Sequence, residues 1–414
     1  MSLKKSYKNL VIIFFLGISS GLPLALILST LKAWLLEKGF DLKTIGFFAM
    51  ISLPYSLKIF FAPIIDSCKI PFLTKHLGQR RSWIILTQIV LAIFIALLGV
   101  SGISMNLSAI ATFGLLVAFA SASQDIVVDG YRIELIEKEN QGFAASFYVY
   151  GYRIGMLISG ALALVLADKV GWESVYFIMS GFMVMAVFIT LCAPETKKHH
   201  HNHRNFTSWF KSSVIAPLLD FTKQPKWYVI LGFIVCFKLA DAFAGNLTLP
   251  FLLEIGFSKL EIASIVKTFG LFATLFGIFI GGILVKKIHI TKALWIAALM
   301  QMLSNLAFSY LAQVGHNSTT LYMVILAENL SGGIGDAVFV AYLSSLCNLA
   351  FSATQYALLV SCATMARSTI TAFSGIFAEG LGWYNFFILS ALLAIPSLLL
   401  LYLITHGQWA KKKL

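Results

Sequence analysis

Two carboxylates, Asp125 and Asp129, stand four residues apart in the run Ser-Gln-Asp-Ile-Val-Val-Asp-Gly-Tyr-Arg, and Arg132 follows three further on. At helical spacing all three share one face. The flanking sequence is almost wholly apolar, so the pair is withdrawn from water. Partly desolvated carboxylates this close disfavour double ionisation. A group that takes up and gives back a proton is what ion-coupled transport needs. The competing reading is a structural latch in which these acids pair with Arg132, Arg80 or Arg81. A latch opened by protonation would serve both purposes.

Further charges lie where the chain is greasy. Lys58 follows Tyr55 by three residues, Arg153 ends the run Tyr148-Val-Tyr-Gly-Tyr152-Arg, and Arg367 sits in a later apolar stretch. Lys238 and Asp241 are three apart, and Glu328 and Asp336 flank the run Ser331-Gly-Gly-Ile-Gly. A charge at the bilayer centre costs at least ~2.5 kcal/mol, so each needs a partner or a wet cavity. Arginine's fork suits a carboxylate, and lysine acts as a point charge. Four cations of this kind (Lys58, Arg153, Lys238, Arg367) point to an anionic solute, with Tyr148 and Tyr152 facing it or packing in the core. The plainer alternative is that Arg153 and Lys238 only neutralise Asp125, Asp241 and Asp336. Lys32 and Lys267, near span ends, can snorkel.

These residues have to be placed by membrane helices. The chain has 414 residues, 59% apolar and 12% charged, against roughly 45–50% and ~25% in a soluble domain. That excludes a soluble enzyme. At about 20 residues per span, twelve spans are predicted: 10–34, 42–65, 83–101, 108–131, 143–167, 173–193, 227–253, 261–285, 293–312, 320–348, 352–377 and 383–405. They are too long and too evenly apolar for barrel strands. The first runs past the length of a signal peptide and has no A-x-A site, so it reads as a retained helix. The five cysteines are scattered without a metal or disulfide spacing. Trp34 and Trp383 near span ends suggest an interfacial belt. Gly151-x3-Gly155 and Gly277-x3-Gly281 suggest close helix contacts, and the glycines of 331–336 suggest either packing or an opened backbone.

The net charge of +13 is a topology signal. The two ends and the even-to-odd loops carry 21 Lys/Arg, and the opposite loops carry only Lys38, Lys43, Lys169 and Lys259. Both termini and the central loop therefore face the cytoplasm, and a nucleic-acid partner has no support. His199, His200, His201 and His203 read as a solvated linker without a fixed metal geometry.

The chain repeats itself. Residues 34–45 (WLLEKGFDLKTI) match 251–262 (FLLEIGFSKLEI), Gly171-Trp172 matches Gly382-Trp383, and Asp125, Val127 and Tyr131 match Asp336, Val338 and Tyr342. The polar stretch 194–226 separates the halves. The expected organisation is a six-helix bundle over 1–195, a cytoplasmic linker over 196–226 and a second bundle over 227–414. Parallel six-helix repeats describe the major facilitator fold, an all-α polytopic membrane architecture with its solute site at the midplane. Asp66 with Leu77-Gly-Gln-Arg80-Arg81 resembles the loop signature of that fold, with an insertion, and implies a gate hinge. A channel would need a pore-loop signature, and ATP-driven transport a phosphate-cradling Gly-rich loop; neither is present.

In detail the sequence resembles the muropeptide permeases (AmpG), a branch of the major facilitators. The likeness rests on Gly21-Leu-Pro-Leu-Ala, Trp34-Leu, Tyr55-Ser-Leu-Lys58, Ala62-Pro63, Asp66, Leu77-Gly-Gln-Arg-Arg, Gln124-Asp-Ile-Val-Val-Asp129, Tyr131-Arg132 and Gly151-Tyr-Arg153. In the second half it rests on Lys238-Leu-Ala-Asp241, Glu328-Asn-Leu-Ser-Gly-Gly, Leu346-Cys-Asn and Phe351-Ser-Ala-Thr-Gln-Tyr356. The resemblance implies a monomeric carrier in the bacterial inner membrane. It would import N-acetylglucosamine–anhydro-muropeptides for peptidoglycan recycling, driven by a proton gradient with no cofactor, and in some bacteria it would feed β-lactamase induction. The alternatives are a facilitator of another bulky anion such as acyl-CoA, an integral membrane enzyme, or a transport-dead sensor of wall intermediates. No nucleophile or acid–base set for an enzyme is visible.

Overall fold

The computed structural model describes residues 3–40, 44, 48–103, 106–137, 140–196 and 210–406. The histidines of 199–203 and the lysines of 411–413 lie outside them. Among the described residues there is no strand, and eleven helices are long and apolar enough to cross a membrane. In the first half these are α1 (Tyr7–Glu37), α3 (Gln79–Gly102), α4 (Leu107–Leu135), α5 (Gln141–Val170) and α6 (Trp172–Leu191). In the second half they are α7 (Trp227–Glu254), α8 (Ile262–Lys287), α9 (Ile290–Val314), α10 (Ser318–Leu346), α11 (Leu349–Thr371) and a run from Ser374 to His406. That last run breaks at Gly382, after which α12 (383–406) begins. The remaining span, α2 (48–67), is a chain of short helices broken at Leu57, with Pro54 and Pro63 in it. Pro54 opens one of these short helices, where its missing donor is tolerated, and Pro63 lies inside the helix Lys58–Ser67, which runs through it unbroken.

The chain divides into two compact units: residues 1–218 with Cys347–Ser361, and residues 219–346 with Cys362–Leu414. α11 is one helix, yet its first half belongs to the first unit and its second half to the other.

In the first unit α1 lies directly on α5. A side chain at Gly151 would strike the Phe14 carbonyl, one at Gly155 the Ile18 carbonyl, and one at Gly21 the Tyr152 carbonyl. Small residues one turn apart permit this approach. Each helix has a π-helical turn, Leu26–Thr30 and Ile158–Leu162, and Thr30 Oγ1 donates to the Ser159 carbonyl between them. Gly151→Leu is expected to destabilise the bundle by at least about 1–3 kcal/mol, since the obstacle is backbone. Gly181, with open space around it, should accept alanine without loss. Thermal unfolding of the two variants in detergent checks both outcomes.

Trp34 corrects the expectation of an interfacial belt. It is fully buried, stacked on Trp172 at 6.2 Å and tilted against Tyr176 at 4.9 Å, and Gly102 leaves room for its indole. Being near a helix end does not make a residue interfacial when a neighbouring helix covers that end.

In the second unit Gly277 and Gly281 of α8 meet the Leu330 and Ile334 carbonyls of α10, and Gly333 meets that of Thr274. α10 is helical from Ser318 to Leu346, so the backbone does not open at the glycines of 331–336; Gly333 serves packing against α8, while Gly332 has open space beside it. A capping box at Ser258–Glu261 starts the helical run that continues into α8. The Ser258 amide donates to Glu261 Oε2 at 2.9 Å and the Glu261 amide to Ser258 Oγ at 3.2 Å, while His316 and Ser318 reach Glu261 Oε1 at 3.2 and 3.1 Å. These hydrogen bonds, the Ser258 amide foremost, pull the Glu261 carboxyl down to about 2. Their contribution is therefore present above the ordinary carboxyl value and fades as pH falls through about 2. Glu261→Gln should lower the melting temperature at pH 7, and the difference from wild type should shrink toward zero as melts are recorded at progressively lower pH.

The sequence repeats coincide with shared backbone geometry. Gly171 and Gly382 take φ 79° and 70° with ψ 158° and 162° ahead of their tryptophans. Gly39 and Gly256 likewise take positive φ, 82° and 99°. Only glycine enters this region without strain, so the repeated motifs are helix stops placed alike in each half.

Candidate functional site

In the first unit Lys58 emerges from the break in α2 and its Nζ donates to Asp125 Oδ2 of α4 at 2.5 Å. Both side chains are nearly buried. The ammonium also lies 5.4 Å from the Tyr55 ring centroid. Asp125 thus takes its cation from α2, whereas the sequence had offered Arg153. One turn along α4, Arg132 Nη2 approaches Asp129 Oδ1 at 3.4 Å. Arg132 is wholly buried, its guanidinium held between the rings of Tyr148 (5.3 Å) and Tyr356 (5.4 Å). A desolvated guanidinium between two ring faces gains cation–π attraction at each. Tyr148 and Tyr152 have ring centroids 6.0 Å apart, and Arg153 is half-buried beside Tyr152.

A second network surrounds Arg80, the first arginine of the loop signature. Its Nη2 donates to Asp66 Oδ1 (2.6 Å), Glu134 Oε1 (2.5 Å) and Ser352 Oγ (3.2 Å), and its Nε to Glu134 Oε1 at 3.1 Å. Ser352 donates in turn to Glu134 at 2.6 Å, and Asp66 Oδ2 accepts from the Thr354 amide and hydroxyl at 3.1 and 2.8 Å. Arg81 does a different task, donating to the Thr190 and Leu191 carbonyls at the end of α6, where a cation complements the helix dipole. Glu195 accepts from the Arg80 and Arg81 amides at 3.1 and 3.2 Å, satisfying the start of α3. Burial pushes the Glu195 carboxyl above its ordinary range, and those amides oppose the shift.

In the second unit Lys238 stands at a break in α7 (φ −102°, ψ 6°). Its Nζ reaches Asp336 Oδ1 at 2.9 Å, the Gly332 carbonyl at 3.3 Å and Asp241 Oδ2 at 3.5 Å. Gly335 is required here: a Cβ would collide with the Gln301 amide nitrogen and stand 3.1 Å from Lys238 Nζ. The repeated aspartates, Asp125 and Asp336, therefore both pair with a lysine at a helix interruption, from the second helix of one half and the first helix of the other. Glu328, half-buried, faces Asp241 and Lys267 without an ion pair within 4 Å among the described residues. Arg367 is half-buried too, and among the described residues its guanidinium makes no hydrogen bond or ion pair.

Sequence reasoning did not single out Glu134, Ser352, Thr354, Tyr356 or Glu195. A signal existed for three of them, since Ser352, Thr354 and Tyr356 belong to the quoted run Phe351-Ser-Ala-Thr-Gln-Tyr356.

Two helical units with buried ion pairs at helix breaks suit a membrane carrier, and the family model of the Major Facilitator Superfamily matches residues 13–371, so the chain belongs to that superfamily. Among solved structures, the proton:xylose symporter XylE bound to 6-bromo-6-deoxy-D-glucose superposes with a TM-score of 0.72 over 98% of this chain and 96% of that one at 11% identity. The transporter FucP in the outward conformation does so with 0.69 over 94% and 97% at 15% identity. Within the superfamily the chain belongs to the AmpG permeases. It is 39% identical to putative transporter AmpG 4 of Rickettsia conorii over 98% of this chain and 99% of the relative. It is also 39% identical to the anhydromuropeptide permease of Escherichia coli K12 over 94% of this chain and 78% of the relative. The protein is accordingly a multi-pass transporter of the bacterial inner membrane and not an enzyme.

Proposed function

We propose that the chain imports N-acetylglucosamine–anhydro-muropeptides from periplasm to cytoplasm in symport with protons. The observation that carries this reading is its 39% identity to the Escherichia coli anhydromuropeptide permease over 94% of the chain. The site chemistry agrees with it. A muropeptide carries peptide carboxylates, and Arg367 is a half-buried guanidinium that makes no hydrogen bond or ion pair among the described residues. A proton on Asp125 neutralises the partner of Lys58 and releases the ammonium, so the pair can register protonation as a change in side-chain contacts. Arg132 and its tyrosines hold Asp129 in place beside it. Inward-directed uptake of labelled anhydro-muropeptide into vesicles with an imposed proton gradient tests the reading. Accumulation that collapses to equilibration on adding an uncoupler is the expected result, and accumulation indifferent to the uncoupler would remove the coupling.

A further inference from the structure

Four buried side-chain oxygens gather around the Lys58–Asp125 pair and meet no hydrogen-bonding partner beyond one another: Ser20 Oγ, Tyr55 OH, Ser121 Oγ and the second carboxylate oxygen, Asp125 Oδ1. They come from α1, α2 and α4. Ser121 and Asp125 are one turn apart on the same face of α4, Ser20 lies beside the Asp125 carboxylate, and the Tyr55 hydroxyl lies beside Ser121. Ser20 and Ser121 are fully buried and Asp125 is 4% exposed. Native interiors rarely set so many polar atoms together with only each other to bond.

A set made only of oxygens, one of them charged, matches the ligand preference of a small hard cation. The positive charge in this place is the Lys58 ammonium, 2.5 Å from Asp125 Oδ2. With Asp125 already neutralised, a metal ion entering the same oxygens would leave a net positive charge in a desolvated site, which is unfavourable. A proton adds the same charge but needs one carboxylate oxygen and no shell of ligands, so the ammonium has only to loosen its hold on Asp125, whereas a metal ion needs the whole set of oxygens and the place the ammonium occupies. Lysine's flexible stem allows that movement. We propose that Lys58 is the ion-selectivity residue of this carrier: it holds Na⁺ and Li⁺ out of an oxygen site built by Ser20, Tyr55, Ser121 and Asp125, and so leaves the proton as the ion accepted there. The inference rests on the proton-symport reading for its meaning in transport, but its test needs no muropeptide.

The experiment is thermal unfolding and ²²Na⁺ binding on the purified full chain in detergent at alkaline pH, with choline chloride as the ionic-strength control. Wild type should show no Na⁺-specific shift. Lys58→Gln and Lys58→Met should bind ²²Na⁺ saturably and melt several degrees higher in Na⁺ than in choline. Adding Tyr55→Phe to Lys58→Gln should weaken that binding severalfold, and adding Asp125→Asn should abolish it. Lys58→Arg, which keeps the charge, should exclude Na⁺ as wild type does. Saturable Na⁺ binding by wild type or Lys58→Arg would overturn the proposal, and so would folded Lys58→Gln and Lys58→Met that respond equally to Na⁺ and choline. If the neutral variants are poorly folded, recovery of folded protein when Na⁺ replaces choline during purification supports the proposal, and equal loss in both salts overturns it. Failure of muropeptide uptake would leave these ion-binding results untouched, so the two readings fall separately.

Discussion

Asp125→Asn is expected to carry solute down its concentration gradient but not against it. An amide keeps the shape of the protonated acid and can still accept a hydrogen bond from Lys58, yet it cannot release a proton. Each proton moved inward across one pH unit supplies about 1.4 kcal/mol, which is a factor of ten in the solute ratio. In vesicles with a one-unit gradient, wild type coupled to a single proton should therefore accumulate labelled anhydro-muropeptide about tenfold, and Asp125→Asn should stop near equality. Solute exchange across vesicles preloaded with unlabelled muropeptide should persist in the variant, because exchange needs no net proton movement. That pairing separates lost coupling from lost folding. Tenfold accumulation by Asp125→Asn would move the coupling role to another carboxylate. The equivalent change in the second half, Asp336→Asn, offers a comparison: Lys238 there also contacts Asp241 and the Gly332 carbonyl, so the ammonium keeps two partners when one is neutralised.

Much of this arrangement was legible in the chain itself, for stated physical reasons. Apolar run lengths reveal spans because lipid leaves no other way to satisfy a backbone. The repeats were legible because helix stops demand glycine at fixed places, as Gly171 and Gly382 show. Charges inside spans were legible because they are expensive there. Their partners were harder to read. Arg132 and Asp129 pair at i, i+3 on one helix and can be foreseen from spacing. Lys58 meets Asp125 across 67 positions, and Arg80 meets Ser352 across 272. Only the packing of helices decides such pairings. Glu134 was obscured for a related reason. It lies two residues beyond Arg132, off the face shared by Asp125, Asp129 and Arg132, and only the placement of Arg80 and α11 gives it a role. Trp34 shows the converse error, in which a local rule about span ends yields to tertiary burial.

The second large effect is expected at Arg80. Its guanidinium joins Asp66, Glu134 and Ser352, and the two carboxylate side chains are only 9% and 5% exposed. Breaking a buried ion pair by removing one partner costs about 3–5 kcal/mol, because the remaining charge is left desolvated and unpaired. Arg80→Ala leaves two such charges close together, so the loss should sit at the upper end of that range and appear as a large drop in thermal midpoint. Arg80→Lys should recover only part, since an ammonium lacks the second nitrogen, Nε, that with Nη2 holds Glu134 from two donors in a fixed plane. Arg81→Ala removes contacts to the carbonyls ending α6 and should cost only about 0.3–1 kcal/mol. The pairing itself is tested by Arg80→Ala with Glu134→Gln: neutralising the stranded carboxylate should restore part of the lost stability, a coupling that independent sites would not show. Ser352 and Thr354 open α11, whose first half is counted with the first unit and whose second half bears Arg367. Arg80→Ala should therefore also raise proteolysis or hydrogen exchange over 347–361 ahead of global unfolding. An Arg80→Ala protein that melts within 1 kcal/mol of wild type and protects 347–361 equally well would show that the network is not what holds this segment to the first unit.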